Sequence, residues 1–360
     1  MPDILSLFEQ GPYSLPTTQK HKVLLDLLSE LTHHHRQFCS PYYKMTTAHG
    51  HDSSELNSLS DLFQLPVQIF KHYELRSTEN TNLIKTLMSS GTTSNQVSKV
   101  FIDKETTKLQ TKALSAIMGN FLGPKRLPMI ILDSASVIKD QKRFSARGGG
   151  IIGMSTFGRD HLYLFDENMS IRYEALDEFL AKYDGEKIVL FGFTFIIWHH
   201  LITVLEERGR TIDFKQAILI HSGGWKKLES EKVNTAEFKK RAKQVVGVDQ
   251  VFNYYGMVEQ MGSVYMECGN GHFHASIFSE ILIRDPVSGK TLPHGEVGVI
   301  ETLSVLPRSY PGHVILTEDQ GLIHGVDDCS CGRKGTYFSV IGRLPKAEVR
   351  GCSDTYEATA

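Results

Sequence analysis

The sequence carries almost no net charge, with 39 Lys plus Arg against 41 Asp plus Glu. The chain as a whole therefore has no field that would draw nucleic acid or anionic lipid to it. It also lacks a long hydrophobic run. The longest, Ile188 to Trp198, reaches about half of the ~20 residues that a membrane-spanning helix requires, and it ends in His199 and His200. It is a core segment, and no membrane span is expected. Met1 to Gln10 holds Asp3 and Glu9 without a basic region or a long apolar stretch. No secretory signal is readable there, so the expectation is a cytoplasmic protein. Cysteines are few and odd in number: Cys39, Cys268, Cys329, Cys331 and Cys352. Without an export signal, that count points to reduced thiols that ligate a metal, act as nucleophiles or are simply buried. No internal repeat or low-complexity tract is found.

What is present is a large apolar fraction, 41% of 360 residues, enough to bury a sizeable core. Val23, Leu24, Leu27, Leu28 and Leu31 recur at helical spacing and predict an amphipathic helix from Lys20 to Leu31, ending near His33-His34-His35. The triple His reads as solvated surface. Residues 40–60 are polar and read as a loop before Leu65-Pro66-Val67. Further on, Pro128 to Leu132, Lys187 to Gly192 and Ala217 to His221 read as buried strands, while Phe195 to Arg208 and Ala236 to Val246 read as helices. Strands alternating with helices imply an α/β layer structure with parallel-rich sheets, in which ligands collect beyond the strand ends. After Glu280 the texture changes. Ile281 to Arg284, Glu296 to Thr302 and His313 to Thr317 are strand-like and separated by Asp285-Pro286, Ser288-Gly289 and Pro311-Gly312 turns, which predicts a β-rich subdomain. The division expected is an α/β core over 1–280, the β-rich subdomain over 281–342 and a tail over 343–360.

Four segments carry candidate chemistry. Ser89-Ser90-Gly91-Thr92-Thr93-Ser94 is dense in small hydroxylated residues around Gly, and such a loop can offer hydroxyl and backbone N–H donors to phosphate oxygens. It has no Gly-Lys-Ser/Thr ending, and a plain turn would look similar. Asn253-Tyr254-Tyr255-Gly256-Met257-Val258-Glu259 brings a ring, a bend and a carboxylate together: Tyr255 could stack on a purine, and Glu259 could hold Mg²⁺. A strand followed by a helix with an exposed acid is the plain alternative. Asp319, in Thr317-Glu318-Asp319-Gln320-Gly321, could accept from two ribose hydroxyls. Gly342-Arg343 followed by Val349-Arg350-Gly351 completes the series.

The order of these segments, with Ser222-Gly223-Gly224 between the first two, resembles the adenylate-forming superfamily of acyl-CoA synthetases, adenylation domains and luciferases over roughly Ser89 to Gly351. Within it the sequence is most similar to the acyl-protein synthetase (LuxE-type) family, through Arg147-Gly148-Gly149-Gly150, Phe157-Gly158-Arg159-Asp160, Phe191-Gly192-Phe193-Thr194 and Arg350-Gly351-Cys352-Ser353. The resemblance implies the large-domain architecture of that superfamily. It also implies that Ser89, Ser90, Gly91, Thr92 and Thr93 grip ATP phosphates, that Ser222, Gly223, Gly224 and Tyr255 flank adenine, and that Glu259 supports Mg²⁺. Asp319 and Arg343 would hold the ribose. Two departures stand out. Ser94 and Val97 occupy positions where the superfamily usually has Gly and Lys, with Lys99 as a substitute. The sequence also stops shortly after Gly351, so the superfamily's small C-terminal lid domain is expected to be essentially absent.

Cys352 lies beside Arg350 with Lys346 upstream, and nearby cations favour the thiolate. In the resembled family, a cysteine of this segment accepts the acyl group before delivery to a fatty acid reductase, within a multi-subunit complex. Cys329-Ser330-Cys331, with Cys268 and Gly271-His272-Phe273-His274, could supply a tetrahedral Cys₃His zinc site, His274 preferred and His272 in reserve. Phenylacetate-CoA ligases carry a similar Cys-x-Cys-Gly-Arg segment; the zinc would be structural. Phe191 to Trp198 is a candidate acyl pocket or plain core. The functional expectation is an ATP-dependent long-chain fatty acid:protein ligase. A phenylacetate-type acyl-CoA ligase is the alternative, and a non-catalytic zinc-stabilised binding protein is a third reading.

Overall fold

Apolar runs bounded by glycine, proline and polar turns set the strands. The computed structural model describes residues 3–51, 56–88, 97–139, 146–214, 216–225 and 233–344. Its strands are β1 (Leu65–Pro66), β2 (Leu83–Met88), β3 (Lys99–Asp103), β4 (Leu127–Ser134), β5 (Gly158–Phe165), β6 (Ile188–Phe193), β7 (Ala217–Ser222) and β8 (Gln250–Tyr255). They continue with β9 (Tyr265–Glu267), β10 (Phe273–His274), β11 (Ser279–Arg284), β12 (Gly298–Ser304), β13 (Val314–Val326) and β14 (Thr336–Arg343). The chain divides into two compact units, a first formed by Met1–Asn120 with Gly256–Glu348 and a second built on Phe121–Tyr255.

The second unit is a parallel sheet in the order β5-β4-β6-β7-β8. β6 and β7 are buried along their whole length, and β4 along nearly all of it, which is why they read as continuous apolar runs rather than alternating ones. The helix Thr235–Val246 starts at an Asn234 side chain that accepts from Glu237 N and ends at Gly247, as a polar cap and a glycine stop dictate. The helical segment after β6 departs from regularity. Ile197–Ile202 forms a π-helical turn between Thr194–Ile196 and Thr203–Glu207. Trp198 there packs against Trp225 (5.3 Å between ring centroids) and under Arg241 (4.9 Å). The Phe191–Trp198 side chains are buried in the packing of this unit.

The first unit carries an antiparallel sheet in the order β11-β12-β13-β14-β10-β9, with β1 parallel to β13 and a separate β2-β3 pair. Tyr42, Phe70, Val100, Ile102, Tyr310 and Ile315 meet in one of its core clusters. The predicted N-terminal helix is present and longer than its periodicity implied, Thr17–Phe38, with Leu24, Leu27, Leu28 and Leu31 buried. It runs through the triple His because His35 continues the i, i+4 row of Leu31 inward. His35 is fully buried, its Nδ1 2.7 Å from Ser77 Oγ and its Nε2 3.1 Å from Pro307 O, so the expectation of a solvated His run fails at this residue. The polar stretch after it also differs from expectation. Ser40–Ala48 is a helix, started by Pro41 in its first turn and held down by buried Tyr42 and Thr46. Inside the unit, Lys20 is buried and pairs at 3.1 Å with fully buried Glu280, and its Nζ also reaches Ala275 O. Among the described residues, no helix is long and apolar enough to cross a membrane.

Candidate functional site

In the second unit the carboxyl ends of the parallel strands hold polar side chains that interrupt apolar sequence. Ser222 ends β7 and donates from Oγ to Tyr254 O at 3.0 Å, so the Ser222-Gly223-Gly224 segment lies beside the end of β8 that carries Tyr255. Thr194 Oγ1, just past β6, donates to Ser222 O at 3.1 Å and lies 2.9 Å from His221 Nδ1. Burial, with a smaller push from Lys239, takes His221 down to about 3, so its imidazole is neutral at ordinary pH. At the end of β4, Asp133 is fully buried and takes a bidentate grip from Arg147, with Nε to Oδ2 at 2.6 Å. Strand carboxyl ends are where open parallel sheets place ligands. Thr194, His221, Asp133 and Arg147 were not singled out individually. The available signal was a polar residue closing an apolar strand.

The first unit resumes at Gly256, and there the chain runs into a tight turn, Val258–Gln260, that carries Glu259. The plain alternative of an exposed acid is not met, for Glu259 is 4% exposed. The turn is held from three sides. Gly262 has a left-handed φ of +86°, and a Cβ there would sit 2.7 Å from Gln110 Cα, so only glycine lets the turn lie against the helix Lys104–Leu122. A Cβ on Gly312 would sit 2.7 Å from Glu259 O, so the Pro311-Gly312 bend touches the turn's backbone directly. Gln260, itself buried, donates from Nε2 to Thr302 O at 3.0 Å and to Gly312 O at 2.9 Å. The Tyr310 hydroxyl accepts from Gln110 at 3.3 Å and is raised above its usual range by burial and then by the Glu259 charge.

Asp319 and Arg343, 24 positions apart in the numbering, are brought together as cross-strand partners of β13 and β14. Arg343 Nε stands 3.4 Å from Asp319 Oδ1 and its Nη1 4.0 Å from Glu318 Oε2. The backbone before Asp319 is fixed by Thr317, whose Oγ1 donates to Ile300 O at 2.7 Å and accepts from Asp319 N at 3.1 Å.

The third group is a candidate metal centre, also in the first unit. One ligand atom each from Cys268, His274, Cys329 and Cys331 lies within 4.8 Å of the others. Cys268 Sγ is 4.0 Å from Cys329 Sγ, and Cys331 Sγ is 3.4 Å from His274 Nε2. A tetrahedral ion with Zn–S of about 2.3 Å and Zn–N of about 2.0 Å needs S···S near 3.8 Å and S···N near 3.5 Å, so the donor set fits zinc in number, type and spacing. Each cysteine strand end is folded as a knuckle, with Gly271 N donating to Cys268 O at 3.0 Å and Gly332 N to Cys329 O at 2.9 Å. Burial takes His274 down to about 4, the neutral ligand form. The reserve residue His272 turns elsewhere, against His324 (4.4 Å between centroids) and Tyr337. Both histidines lie against Tyr337, at 5.2 and 5.7 Å between centroids, as residues two apart on a strand do, but it is His274 whose Nε2 reaches Cys331 Sγ.

Ser89, Ser90, Gly91, Thr92 and Thr93 of the phosphate loop, and the C-terminal Cys352, lie outside the described residues. Lys99, the alternative phosphate cation, opens β3 with its Nζ 3.7 Å from Glu74 Oε1.

Comparison with known proteins gives three findings. The family model for acyl-protein synthetase, LuxE, matches residues 3–359. The long-chain-fatty-acid–luciferin-component ligase of Vibrio harveyi is 25% identical over 179 residues, 48% of this chain and 45% of that protein. Its counterpart in Aliivibrio fischeri is 22% identical over 195 residues, 52% and 50% respectively, so the aligned stretches span about half the length of these relatives. Among solved structures, 2-hydroxyisobutyryl-CoA ligase in its postadenylation state with 2-HIB-AMP is similar, with TM-score 0.71 and 16% identity across 92% of this chain and 70% of that one. The fold is that of the adenylate-forming ligases.

Proposed function

The chain belongs to the LuxE family of acyl-protein synthetases, and from that premise we propose that it activates a long-chain fatty acid with ATP and transfers the acyl group to its own Cys352 for delivery to a fatty acid reductase. The observation that carries this reading is the family match over 3–359. It is supported by the pairing of Asp319 with Arg343 and by the anchored turn under Glu259.

In the first step a carboxylate oxygen of the acid attacks the α-phosphorus of ATP, the acyl–O–phosphorus bond forms, and the bond to pyrophosphate breaks with the electron pair leaving on pyrophosphate. In the second, the Cys352 thiolate attacks the acyl carbon and AMP leaves, giving a thioester. Asp319 offers two acceptor oxygens to ribose hydroxyls, and Arg343 holds that carboxylate in place. Ser222, Gly223, Gly224 and Tyr255 border the adenine. Ser89 to Thr93 supply donors to the phosphates. Glu259 is a hard oxygen donor of the kind Mg²⁺ takes, and Mg²⁺ when bound offsets phosphate charge. Cys268, His274, Cys329 and Cys331 would hold a structural zinc ion, which would fasten β9 and β10 to the loop before β14. The domain reading that accompanies this is a core, a β-rich subdomain and a C-terminal tail that presents the thiol.

The test is incubation with ATP, a panel of radiolabelled acids and no CoA, followed by intact-mass analysis. The wild-type protein gains one acyl mass, and Cys352→Ser retains ATP–pyrophosphate exchange without forming a stable acyl-protein. A Cys352→Ser protein that still carries the acyl group would sink the carrier role. AMP release that depends on added CoA would favour an acyl-CoA ligase instead, and absence of exchange with every acid would leave a binding protein.

A further inference from the structure

We infer that Gln260 is the positioning residue for Glu259, an inference that rests on the nucleotide reading above. Gln260 is 2% exposed, and its single amide nitrogen spends both of its N–H donors on backbone carbonyls of two different segments, Thr302 O of β12 at 3.0 Å and Gly312 O at 2.9 Å. A side chain whose only task was to fill space would be apolar here, because burying an amide costs free energy, and Gln260 bears that cost with its Oε1 left without a hydrogen-bond partner among the described residues while both N–H donors are used. The two acceptors define a location rather than an interior. Thr302 belongs to a strand paired on both sides, to β11 and to β13, so it is a fixed reference. Gly312 belongs to the bend whose close approach already meets Glu259 O. The amide therefore ties the bend to the strand directly beneath the carboxylate's own turn.

The rest of the turn repeats the pattern. Gln260 N donates to Met257 O at 3.2 Å, Ser263 N to Gln260 O at 3.2 Å, and Ser263 Oγ lies 2.6 Å from Ser304 Oγ. Gly262 lies against the Gln110 backbone. Among these contacts, Gln260 is the one that bonds both the strand and the bend. A carboxylate intended to meet a small cation requires that accuracy, since Mg²⁺ demands near-ideal geometry at short distance.

The experiment uses the full chain and reads binding rather than turnover. Mn²⁺ is titrated in the presence of α,β-methylene-ATP and followed by electron paramagnetic resonance, alongside thermal unfolding. Gln260→Met keeps the volume and removes both donors. Its Mn²⁺ affinity falls about tenfold or more, as loss of a residue that orients a metal ligand typically produces, and Glu259→Gln falls at least as far. Gln260→Met that is folded and within twofold of wild type overturns the inference. If Gln260→Met fails to fold, the same titration on Gln260→Asn, one methylene short of its acceptors, decides in the same two directions. The two failures are distinguishable. Wild-type protein that holds no Mn²⁺ with the analogue removes the nucleotide reading itself. Wild-type and Gln260→Met proteins that bind equally, with Glu259→Gln defective, remove only the positioning role.

Discussion

Removing the zinc proposed for the Cys268, His274, Cys329 and Cys331 centre should destabilise the first unit. An ion that binds only the folded state contributes RT ln(1 + [L]/Kd), about 4 kcal/mol at a thousandfold excess over Kd. The unit that contains the ligands comprises Met1–Asn120 and Gly256–Glu348, and for a body of roughly 200 residues each kcal/mol moves Tm by about 2–4 °C. Chelation should therefore lower that unit's transition by about 8–16 °C. The structure gives the effect a route. The loop between β13 and β14 that bears Cys329 and Cys331 also holds the N-terminal helix, through Thr17 N donating to Asp327 Oδ2 at 2.8 Å and Lys334 N to Tyr13 O at 3.0 Å. The assay is zinc content by mass spectrometry together with calorimetry, with and without a chelator. Cys268→Ser, at a fully buried ligand, should lose both the metal and the stabilisation. Cys39→Ser, at a buried cysteine of the same unit outside the cluster, should keep its metal. Protein that purifies without zinc, binds none on addition and melts unchanged with chelator would refute the reasoning.

Three further outcomes follow from the geometry. Lys20→Met removes one of the two cationic partners of the fully buried Glu280 carboxylate, His21 Nε2 remaining at 2.8 Å, which should cost about 1.5–3 kcal/mol in urea unfolding; a loss below about 1 kcal/mol would contradict the pairing. Acid should destabilise the protein in two stages. Burial lowers His221 and His313 from 6.5 to about 3, so the unfolded chain binds more protons and stability falls as pH drops from about 6.5. For Glu280, burial would raise the carboxyl but Lys20 and His21 outweigh it and bring it to about 2, so its contribution is complete above about 4.5 and is lost as pH falls through about 2. Urea titrations between neutral pH and about pH 4 that give a flat profile would rule out the histidine part. Finally, Asp319→Asn and Arg343→Ala should raise KM for ATP by roughly tenfold or more, the worth of a charge-assisted hydrogen bond, with little change in Tm because the pair is partly exposed; unchanged KM would remove both from the nucleotide site.

Much of the fold was readable because it depends on short-range pattern. β6 and β7 lie within a residue or two of where their apolar runs placed them, and the Thr235–Val246 helix begins and ends at its polar cap and glycine. Reading failed where burial overrode local polarity. The Ser40–Ala48 helix is polar in composition and is held by two inward residues, Tyr42 and Thr46, which no periodicity over so short a segment reveals. His35 reads as one of three surface histidines and is instead enclosed by Ser77 and Pro307. In the candidate sites, Glu259 was identified by its motif, but its neighbour Gln260 was passed over because an isolated glutamine carries no sequence signal.

The sequence by itself determined which chemical groups are available and in what order: the aromatic–glycine–carboxylate segment, the acid of β13, the arginine that ends β14, three thiols and two histidines. Those follow from covalent chemistry and near-neighbour spacing. Only the tertiary structure decided which of them meet. The register of β13 against β14 sets Arg343 opposite Asp319. The pairing of β10 with β9 and β14 carries Cys268 and His274 to a loop some 60 positions away, and turns His274 inward while His272 faces another histidine. Such meetings are long-range, fixed by strand pairing and by the burial of whole faces, and no window of sequence contains them.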